Sequence, residues 1–465
     1  MTAKKKNPIW AFFSSVKLAL FLLFILAATS IIGTIIQQNQ PFSTYVREYG
    51  QKTAELFQKL HLTDMYNSWW FLSLLGLFAI NLIVCSLERI PNVIRLVRKD
   101  NLDIAPAQVA RMKLKKTVTL PCSLEKTVAA VSGFLQQKGW KPTQRNMEDG
   151  VLLFAQKGAW TRFGVYIVHL SILVILLGAV IGSPTFANKV LNKTKFAFKG
   201  SIMIPESKAT NYIYPLSGGE KIDLGFSVRC NFFTIEYYSN GMPKTYLSKV
   251  SVLKNGKPVV LDNGSTEWDL KVNRPLTYQG ITFYQSSYQP YSDFLSILHK
   301  KNTDQGETKI ISGGQQIKTG FGNISFGILN QEVRGEAVQR LKIWFGGDEA
   351  EPSIFWVNNG QKAIIKRPGG EYELTVKQLY ATGLQVTKDP GVWFVYIGCG
   401  MMLLGLYVAF FMSHRKIYAF ISPAKDRGST VLFAGSAHKN KLGFEKTFNR
   451  LVNDFTQHSN QACNS

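Results

Sequence analysis

The sequence predicts a polytopic α-helical membrane protein with four transmembrane helices. A large extracytoplasmic all-β domain, of sandwich or barrel type, is predicted between helices three and four, and a small cytoplasmic α+β segment between helices two and three. Three observations support this class: four long windows without charge, an uneven distribution of basic residues, and a long segment rich in strand-forming residues. The windows without Asp, Glu, Lys or Arg are residues 18–44, 65–87, 163–188 and 390–414.

Each window contains an apolar stretch of about 20 residues, which is the length that crosses ~30 Å of hydrocarbon as a helix. The predicted transmembrane helices are 18–36, 68–87, 163–182 and 391–412. The first helix is predicted to be an uncleaved anchor after a short arm, because its apolar run is longer than that of a signal peptide and no A-x-A site follows.

The charge distribution predicts the orientation of these helices. The chain has 54 Lys and Arg against 30 Asp and Glu, a net charge of +24. The arm 1–17, the segment 88–162 and the tail 413–465 carry 17 of those 24 charges, whereas the loop 37–67 is neutral and the segment 183–390 carries the rest. The positive-inside rule therefore places both termini in the cytoplasm and the large domain outside, in the cell inner membrane. The basic excess is explained by the lipid bilayer, and no nucleic-acid motif is present.

The segment between helices two and three contains signals for both helix and strand. Alternating apolar and basic residues at 93–99 predict a short interfacial helix. A strand is predicted at 117–120, then a helix with Ser123 as its N-cap that runs to Lys138, and a second strand at 151–155.

The segment between helices three and four has mainly strand and turn signals. Asn255-Gly256 between two strand-like runs predicts a two-residue hairpin. Helical periodicity is confined to 291–300, where a short helix is considered. Further turns and strands are predicted at Asn240-Gly241, Asn263-Gly264, 281–288 and 341–344.

Common catalytic motifs are absent from the sequence. There is no phosphate-binding P-loop, no G-x-S-x-G, no H-E-x-x-H and no C-x-x-C. Cys230 is the one cysteine predicted on the extracytoplasmic side, so an internal disulfide cannot form in that compartment. No residue is therefore assigned a catalytic role.

His169 is the only Asp, Glu, Lys, Arg or His in the core of a predicted transmembrane helix. An ionisable residue in hydrocarbon is a candidate for function, and neutral imidazole is a ligand for metals and haem iron. The alternative is a packing role, with a hydrogen bond to Ser171 or Asn81. His414, which precedes two basic residues at the end of the fourth helix, is predicted to be an interface anchor.

Two tryptophans, Trp69 and Trp70, open the second helix. Aromatic residues at this depth usually anchor a helix at the membrane interface. The alternative is contact with a flat ligand such as a porphyrin.

Five blocks of sequence, in this order, resemble the ResB (CcsB) proteins of System II cytochrome c biogenesis. The resemblance covers nearly the whole chain. The blocks are Ser15-Val16-Lys17-Leu18-Ala19 through Ile32-Gly33-Thr34-Ile35, Trp69-Trp70 through Cys85-Ser86-Leu87 and Arg89-Ile90-Pro91, Gly164 through His169-Leu170-Ser171 to Gly178, Asn273-Arg274-Pro275-Leu276 through Phe283-Tyr284-Gln285-Ser286, and Asp389-Pro390-Gly391 through Ser413-His414-Arg415.

The resemblance implies a non-catalytic haem-handling subunit of a holocytochrome c synthase complex, with His169 as an axial ligand of haem b. It implies a CcsA (ResC) partner, apocytochromes with Cys-x-x-Cys-His motifs, and a thioredoxin-like thiol reductant. The partner's tryptophan-rich motif is missing here, because Phe71 follows Trp69-Trp70.

The residues Asn273, Tyr284 and Gln285 are candidates for contact with a partner or apocytochrome. The same block is also compatible with a turn that leads into a strand. For the whole chain, two alternatives remain: a membrane-anchored scaffold whose β domain recruits a partner without binding haem, and a transporter for another solute. The transporter is less favoured because paired charges and Gly/Pro-broken helices are largely absent.

Overall fold

The computed structural model describes residues 7–216, 219–239, 242–334, 337–424 and 428–462. The predicted turn at Asn240-Gly241 lies outside these residues.

The chain forms two compact units: the first comprises residues up to Gly178 and from Trp393 onward, and the second is Ala179–Val392. The elements of the first unit are α1 (Pro8–Phe13), α2 (Val16–Ile35), α3 (Phe42–Tyr49), α4 (Gln51–Lys59), α5 (Trp69–Arg98), α6 (Pro106–Ala110), β1 (Leu114–Leu120), α7 (Leu124–Gln137), β2 (Pro142–Met147), β3 (Gly150–Lys157), α8 (Gly164–Ile181), and, after the second unit, α10 (Val392–Phe411), β19 (Arg415–Pro423), β20 (Ser429–Ala437) and α11 (Lys441–Ala462).

Within the described residues, four helices are long and apolar enough to cross a membrane, which confirms the predicted fold class. They are α2, α5, α8 and α10, and a 3-10 turn at Ala159–Phe163 leads into α8. The short interfacial helix predicted at 93–99 is instead the end of α5, which continues through Pro91 to Arg98.

Helices α8 and α10 pack through small residues. Gly164, Ser171 and Gly178 are buried at intervals of seven residues along α8. On α10, a Cβ atom at Gly405 would lie 3.0 Å from the backbone nitrogen of Val168, and one at Gly398 would lie 3.0 Å from the carbonyl oxygen of Ser171. Small residues therefore allow the two backbones to approach closely, as in many membrane helix pairs.

A five-stranded antiparallel sheet forms the soluble part of the first unit, in the order β1-β20-β19-β3-β2. Strands β19 and β20 come from the tail 413–465, so the tail and the segment 88–162 fold as one domain. Helices α7 and α11 cover one face, with Phe134, Phe433 and Phe455 in the core. Helix α7 has Ser123 at its N-cap position and ends at Gln137, which confirms the helix predicted there.

The described residues of the second unit form β structure apart from one short helix and the last residues of α8. Its elements are α9 (Pro184–Lys189), β4 (Phe198–Pro205), β5 (Ala209–Pro215), β6 (Ile222–Tyr237), β7 (Pro243–Lys254), β8 (Lys257–Pro258), β9 (Trp268–Lys271), β10 (Leu276–Tyr278), β11 (Ile281–Lys300), β12 (Gly306–Ser312), β13 (Gln316–Lys318), β14 (Ser325–Arg334), β15 (Ala337–Gly346), β16 (Ser353–Asn358), β17 (Lys362–Arg367) and β18 (Gly370–Lys388). The hairpin predicted at Asn255-Gly256 is confirmed, because Lys254 pairs with Lys257 across it.

Two cores stabilise the β unit, and the long strands β11 and β18 contribute to both. In the first core, β11 and β18 pack against β6 and β7 of the same eleven-stranded sheet, which therefore curls on itself. In the second, they face the separate four-stranded sheet β13-β14-β15-β16, which is sandwich packing. The helix considered at 291–300 is wrong: these residues form the second half of β11, paired with β12 and β18.

Candidate functional site in the transmembrane helices

His169 lies on the face of α8 that points away from α10. Gly164 and Ser171, which face α10, are five residues before and two residues after it. At 3.6 residues per turn, His169 is rotated about 140° from Gly164 around the helix axis. Its side chain is half-buried and is directed towards α5.

Ser86 of α5 holds the His169 ring. The Ser86 Oγ and the His169 Nδ1 are 2.9 Å apart, a hydrogen bond between two transmembrane helices. The predicted packing partners do not make this contact: Ser171 donates to the Val168 carbonyl of its own helix, and Asn81 donates to the carbonyls of Phe13 and Ser15. The structure therefore connects His169 to α5 through a residue that the sequence did not single out.

The other ring nitrogen of His169, Nε2, has no hydrogen-bond partner among the residues that the structure describes. When Nδ1 carries the proton, it donates to the Ser86 Oγ and leaves the Nε2 lone pair available. A metal-ligating histidine commonly has this arrangement, because a hydrogen bond at one nitrogen fixes the tautomer and the ring orientation for the other.

Three further side chains lie near the Ser86–His169 contact between the two helices. The Tyr166 ring, one turn before His169, lies 6.0 Å from the imidazole in an edge-to-face arrangement. Arg89 of α5 is near enough to interact electrostatically with both Tyr166 and His169, and Cys85 is near Tyr166. We call Cys85, Ser86, Arg89, Tyr166 and His169 the α5–α8 groove.

This donor set fits haem iron better than a free metal ion. No group of three or more His, Cys, Asp or Glu side chains that could hold a metal ion occurs in the described part of the chain. A structural metal site needs several protein ligands, whereas haem iron is already bound by the porphyrin nitrogens and takes one or two axial ligands. A single available imidazole in an apolar helix pair meets that requirement.

The structure does not bring the tryptophans to this groove. Trp69 and Trp70 begin α5, and Ser86 lies 17 residues further along it, which is roughly 25 Å. Trp70 donates from Nε1 to the Leu60 carbonyl and packs with Met65. Trp69 is 71% exposed.

The three candidate residues in the fourth block of resemblance, Asn273, Tyr284 and Gln285, have different surroundings from one another. Asn273 is exposed, with a φ of 66°, in a turn in which the backbone nitrogen of Arg274 donates to the Lys271 carbonyl. Tyr284 is 43% exposed on β11. Gln285 accepts hydrogen bonds from the hydroxyls of Ser248, at 2.6 Å, and Thr382, at 3.1 Å. The turn geometry thus explains the presence of Asn273, and hydrogen bonds within the β unit explain the presence of Gln285. The Tyr284 ring is exposed and available for contact with a partner.

His414 is not an interface anchor. It is only 1% exposed, and both ring nitrogens have partners: Nδ1 accepts from the Arg162 Nε at 2.9 Å, and Nε2 lies 3.0 Å from the Gln156 Oε1. Since Nδ1 accepts, Nε2 must donate to Gln156. Burial, with the positive charges of Lys416 and Arg162, lowers the pKa of His414 to about 4. Its imidazole is therefore neutral and has no nitrogen left for a ligand.

Sequence reasoning assigned no role to Ser86 or Arg89. A signal was present, because the two residues are three positions apart and so lie on neighbouring parts of one helix face. Arg89 is also the first basic residue after the uncharged window 65–87. What the sequence lacks is the rotation of α5 relative to α8, and without it neither residue could be paired with His169.

Comparison with known proteins gives consistent matches over nearly the full length. The ResB-like family model matches residues 16–340 and 348–449. A cytochrome c biogenesis protein CcsB from Synechococcus sp. is 27% identical over 94% of this chain and 88% of its own length. CcsB proteins from Trichormus variabilis and Nostoc sp. are each 29% identical, over 97% and 93% of this chain and 93% and 89% of their own lengths. The chain belongs to the ResB-like family.

Proposed function

We propose that this multi-pass membrane protein is a subunit of the cytochrome c biogenesis machinery that holds haem in the α5–α8 groove during its passage across the membrane. Haem is the cargo of the groove. The protein acts with a CcsA/ResC-type partner, which supplies the second axial ligand, and delivers haem for attachment to Cys-x-x-Cys-His apocytochromes. Family membership and the CcsB relatives support the cytochrome c biogenesis role.

The observation that carries the haem-holding role is the state of the two His169 nitrogens. Nδ1 is fixed by Ser86, and Nε2 has no partner in the described residues. Because water is excluded from hydrocarbon, an open nitrogen there has a use only if a ligand or partner reaches it.

The orientation proposed for this function follows from charge. The net positive segments 88–162 and 413–465 fold into one domain, so they necessarily share one side of the membrane. The positive-inside rule assigns that side to the cytoplasm of a cell inner membrane, and the β unit to the outside. The α5–α8 groove then lies towards the cytoplasmic end of the helices, where haem would enter.

Absorption spectroscopy of the protein co-purified with its CcsA/ResC-type partner tests the proposal. We expect a Soret band in the wild-type complex and its loss in His169→Ala, with assembled c-type cytochrome reduced to a few per cent at unchanged protein level. Removing one imidazole leaves the apolar length of α8 intact, so membrane insertion is preserved. Added imidazole is expected to restore part of the band by occupying the vacated position.

His299→Ala is the control, because His299 is exposed on β11, far along the chain from the helices. Undiminished haem and normal cytochrome c levels in His169→Ala would contradict the ligand role. The packing alternative for His169, for which the Ser86–His169 hydrogen bond is the supporting observation, predicts that His169→Gln keeps both activity and haem content.

A further inference from the structure

Arg89 is the charged member of the α5–α8 groove, and its guanidinium makes no hydrogen bond or ion pair within the described part of the chain. Among the described residues Arg89 forms no ion pair with the adjacent Glu88, whose carboxylate accepts from the Trp10 Nε1 at 2.8 Å. Arg89 itself is exposed on the surface of α5. A planar guanidinium with five donors and no partner is suited to a carboxylate or phosphate.

The position of Arg89 relative to His169 is set by the Ser86 contact. Arg89 follows Ser86 by three residues, which places it about 60° around α5 and roughly 4.5 Å further along its axis. Its charge interacts with both His169 and Tyr166 of α8. An open nitrogen ligand and an open carboxylate-binding group thus face the same groove.

The groove also has a polarity gradient that matches an amphiphilic cargo. On the side of Ser86 towards the start of α5, residues 65–87 contain no Asp, Glu, Lys or Arg. On the other side, Arg89 is the first basic residue. Haem has an apolar vinyl edge and an edge with two propionate carboxylates, so its two edges would meet the two halves of this gradient.

We propose that Arg89 is a haem-propionate subsite: its guanidinium binds a propionate carboxylate while the His169 Nε2 binds the iron. This inference rests on the proposed function of the groove. Two-point attachment fixes the rotation of the porphyrin about the iron–histidine bond, because the propionate edge is held towards Arg89. Arg89 is then a positioning residue that selects tetrapyrroles with free carboxylates.

The test compares haem with haem dimethyl ester, in which both propionates are neutral. The detergent-purified complex with the partner is stripped of haem and titrated with each compound, with the Soret band as readout. A charge-assisted hydrogen bond at a partly hydrated site predicts that the wild type binds haem about tenfold more tightly than the ester. In Arg89→Gln this preference should disappear, and in Arg89→Lys it should be reduced.

Arg95→Gln is the matched control. Arg95 is on the same helix and carries the same charge, but it lies nine residues after Ser86 and hence about 180° around the axis. The Arg95→Gln variant tests whether the loss of any basic residue from α5 changes haem binding, either by altering the orientation of the protein in the membrane or by altering the local charge. We expect Arg95→Gln to keep the wild-type preference for haem.

The outcomes separate this inference from the proposed function. If Arg89→Gln retains the wild-type preference while His169→Ala loses the Soret band, Arg89 is not the propionate subsite and the groove still holds haem. If His169→Ala binds haem normally, the proposed function itself fails. Should Arg89→Gln not accumulate in the membrane, the wild-type comparison decides: equal affinity for haem and its ester would overturn the inference.

Discussion

The Glu206–Lys377 ion pair of the β unit and the polar side chains of the α5–α8 groove differ in how completely they are paired. In the β unit, the Glu206 carboxylate accepts from the Lys377 Nζ at 2.6 Å and from the backbone nitrogens of Phe233 and Tyr380. Lys377 also donates to the Phe233 carbonyl at 2.6 Å. In the α5–α8 groove, by contrast, His169 uses one nitrogen and Arg89 uses none among the described residues.

The difference separates polar groups that stabilise the fold from polar groups that are free to bind. A buried charge with all its hydrogen bonds made has no capacity left for a ligand, and removing its partner leaves an uncompensated charge. An unpaired donor or acceptor contributes little to stability until something binds it. The comparison therefore predicts large stability effects in the β unit and large binding effects in the groove.

The largest stability effect is expected for Lys377→Met. The substitution leaves the nearly fully buried Glu206 carboxylate without its cation, which typically costs about 3–5 kcal/mol. For an isolated domain of this size, each kcal/mol corresponds to a shift of roughly 2–4 °C in Tm. Thermal unfolding of the detergent-purified full chain, followed by circular dichroism, measures the loss.

The double variant Glu206→Gln/Lys377→Met is the control for that measurement. It removes the stranded charge while keeping an amide oxygen to accept from Phe233 and Tyr380, so we expect it to recover part of the lost stability. A Tm for Lys377→Met within about 1 °C of the wild type would show that the Glu206–Lys377 ion pair does not stabilise the β unit. That result would contradict the comparison between the β unit and the α5–α8 groove.

His414 predicts a smaller effect, which depends on pH. Its folded-state pKa of about 4 is below the ordinary value of 6.5, so between these pH values the unfolded chain binds a proton that the folded chain does not. The contribution of His414 to the free energy of unfolding is therefore fully present above about pH 6.5 and is lost as the pH decreases towards 4. At pH 5 the linkage amounts to roughly 2 kcal/mol.

His414→Gln removes this titration while keeping an amide between Arg162 and Gln156. We expect the variant to be less stable than the wild type at pH 7.5 and to lose less Tm between pH 7.5 and 5. His438, whose pKa is also lowered by burial, titrates in both proteins and so cancels in the difference. Parallel Tm curves for the two proteins would contradict a neutral, buried His414.

The sequence predicted those elements whose signal is local. The four helices follow from the uncharged windows, the α7 helix from its Ser123 cap, and one hairpin from Asn255-Gly256. The union of the tail with the segment 88–162 could not be predicted, because pairs such as Leu114 with Gly435 join residues more than 300 positions apart. Local periodicity carries no information about which distant strand completes a sheet.

The candidate site was predictable to the same extent. His169 stands out because hydrocarbon makes any ionisable side chain conspicuous. Its partners Ser86 and Arg89 do not, because α5 and α8 are apolar on all sides over most of their length and no face can be assigned to a neighbour. Similarly, the sequence does not distinguish Tyr284 from Gln285, although one side chain is open and the other is enclosed by hydroxyl groups.

Tyr284 and Gln285 give the smallest predicted effect on stability. They are adjacent on β11, and they compare a hydrogen-bonded side chain with an exposed one on the same strand. Gln285→Ala removes the acceptor for the Ser248 and Thr382 hydroxyls, which should cost about 1 kcal/mol, because the two hydroxyls are 2.7 Å apart and one can then donate to the other. Tyr284→Ala removes an exposed ring and should change the free energy of unfolding by less than about 0.5 kcal/mol.

If open groups serve binding, however, Tyr284→Ala should lower cytochrome c assembly in cells while Gln285→Ala lowers it only in proportion to its loss of folded protein. Immunoblots of membrane fractions, with haem-stained c-type cytochromes from the same cells, give both quantities. Normal assembly in Tyr284→Ala would restrict the functional open groups to the membrane helices and leave the outer face of β11 without a docking role at this position.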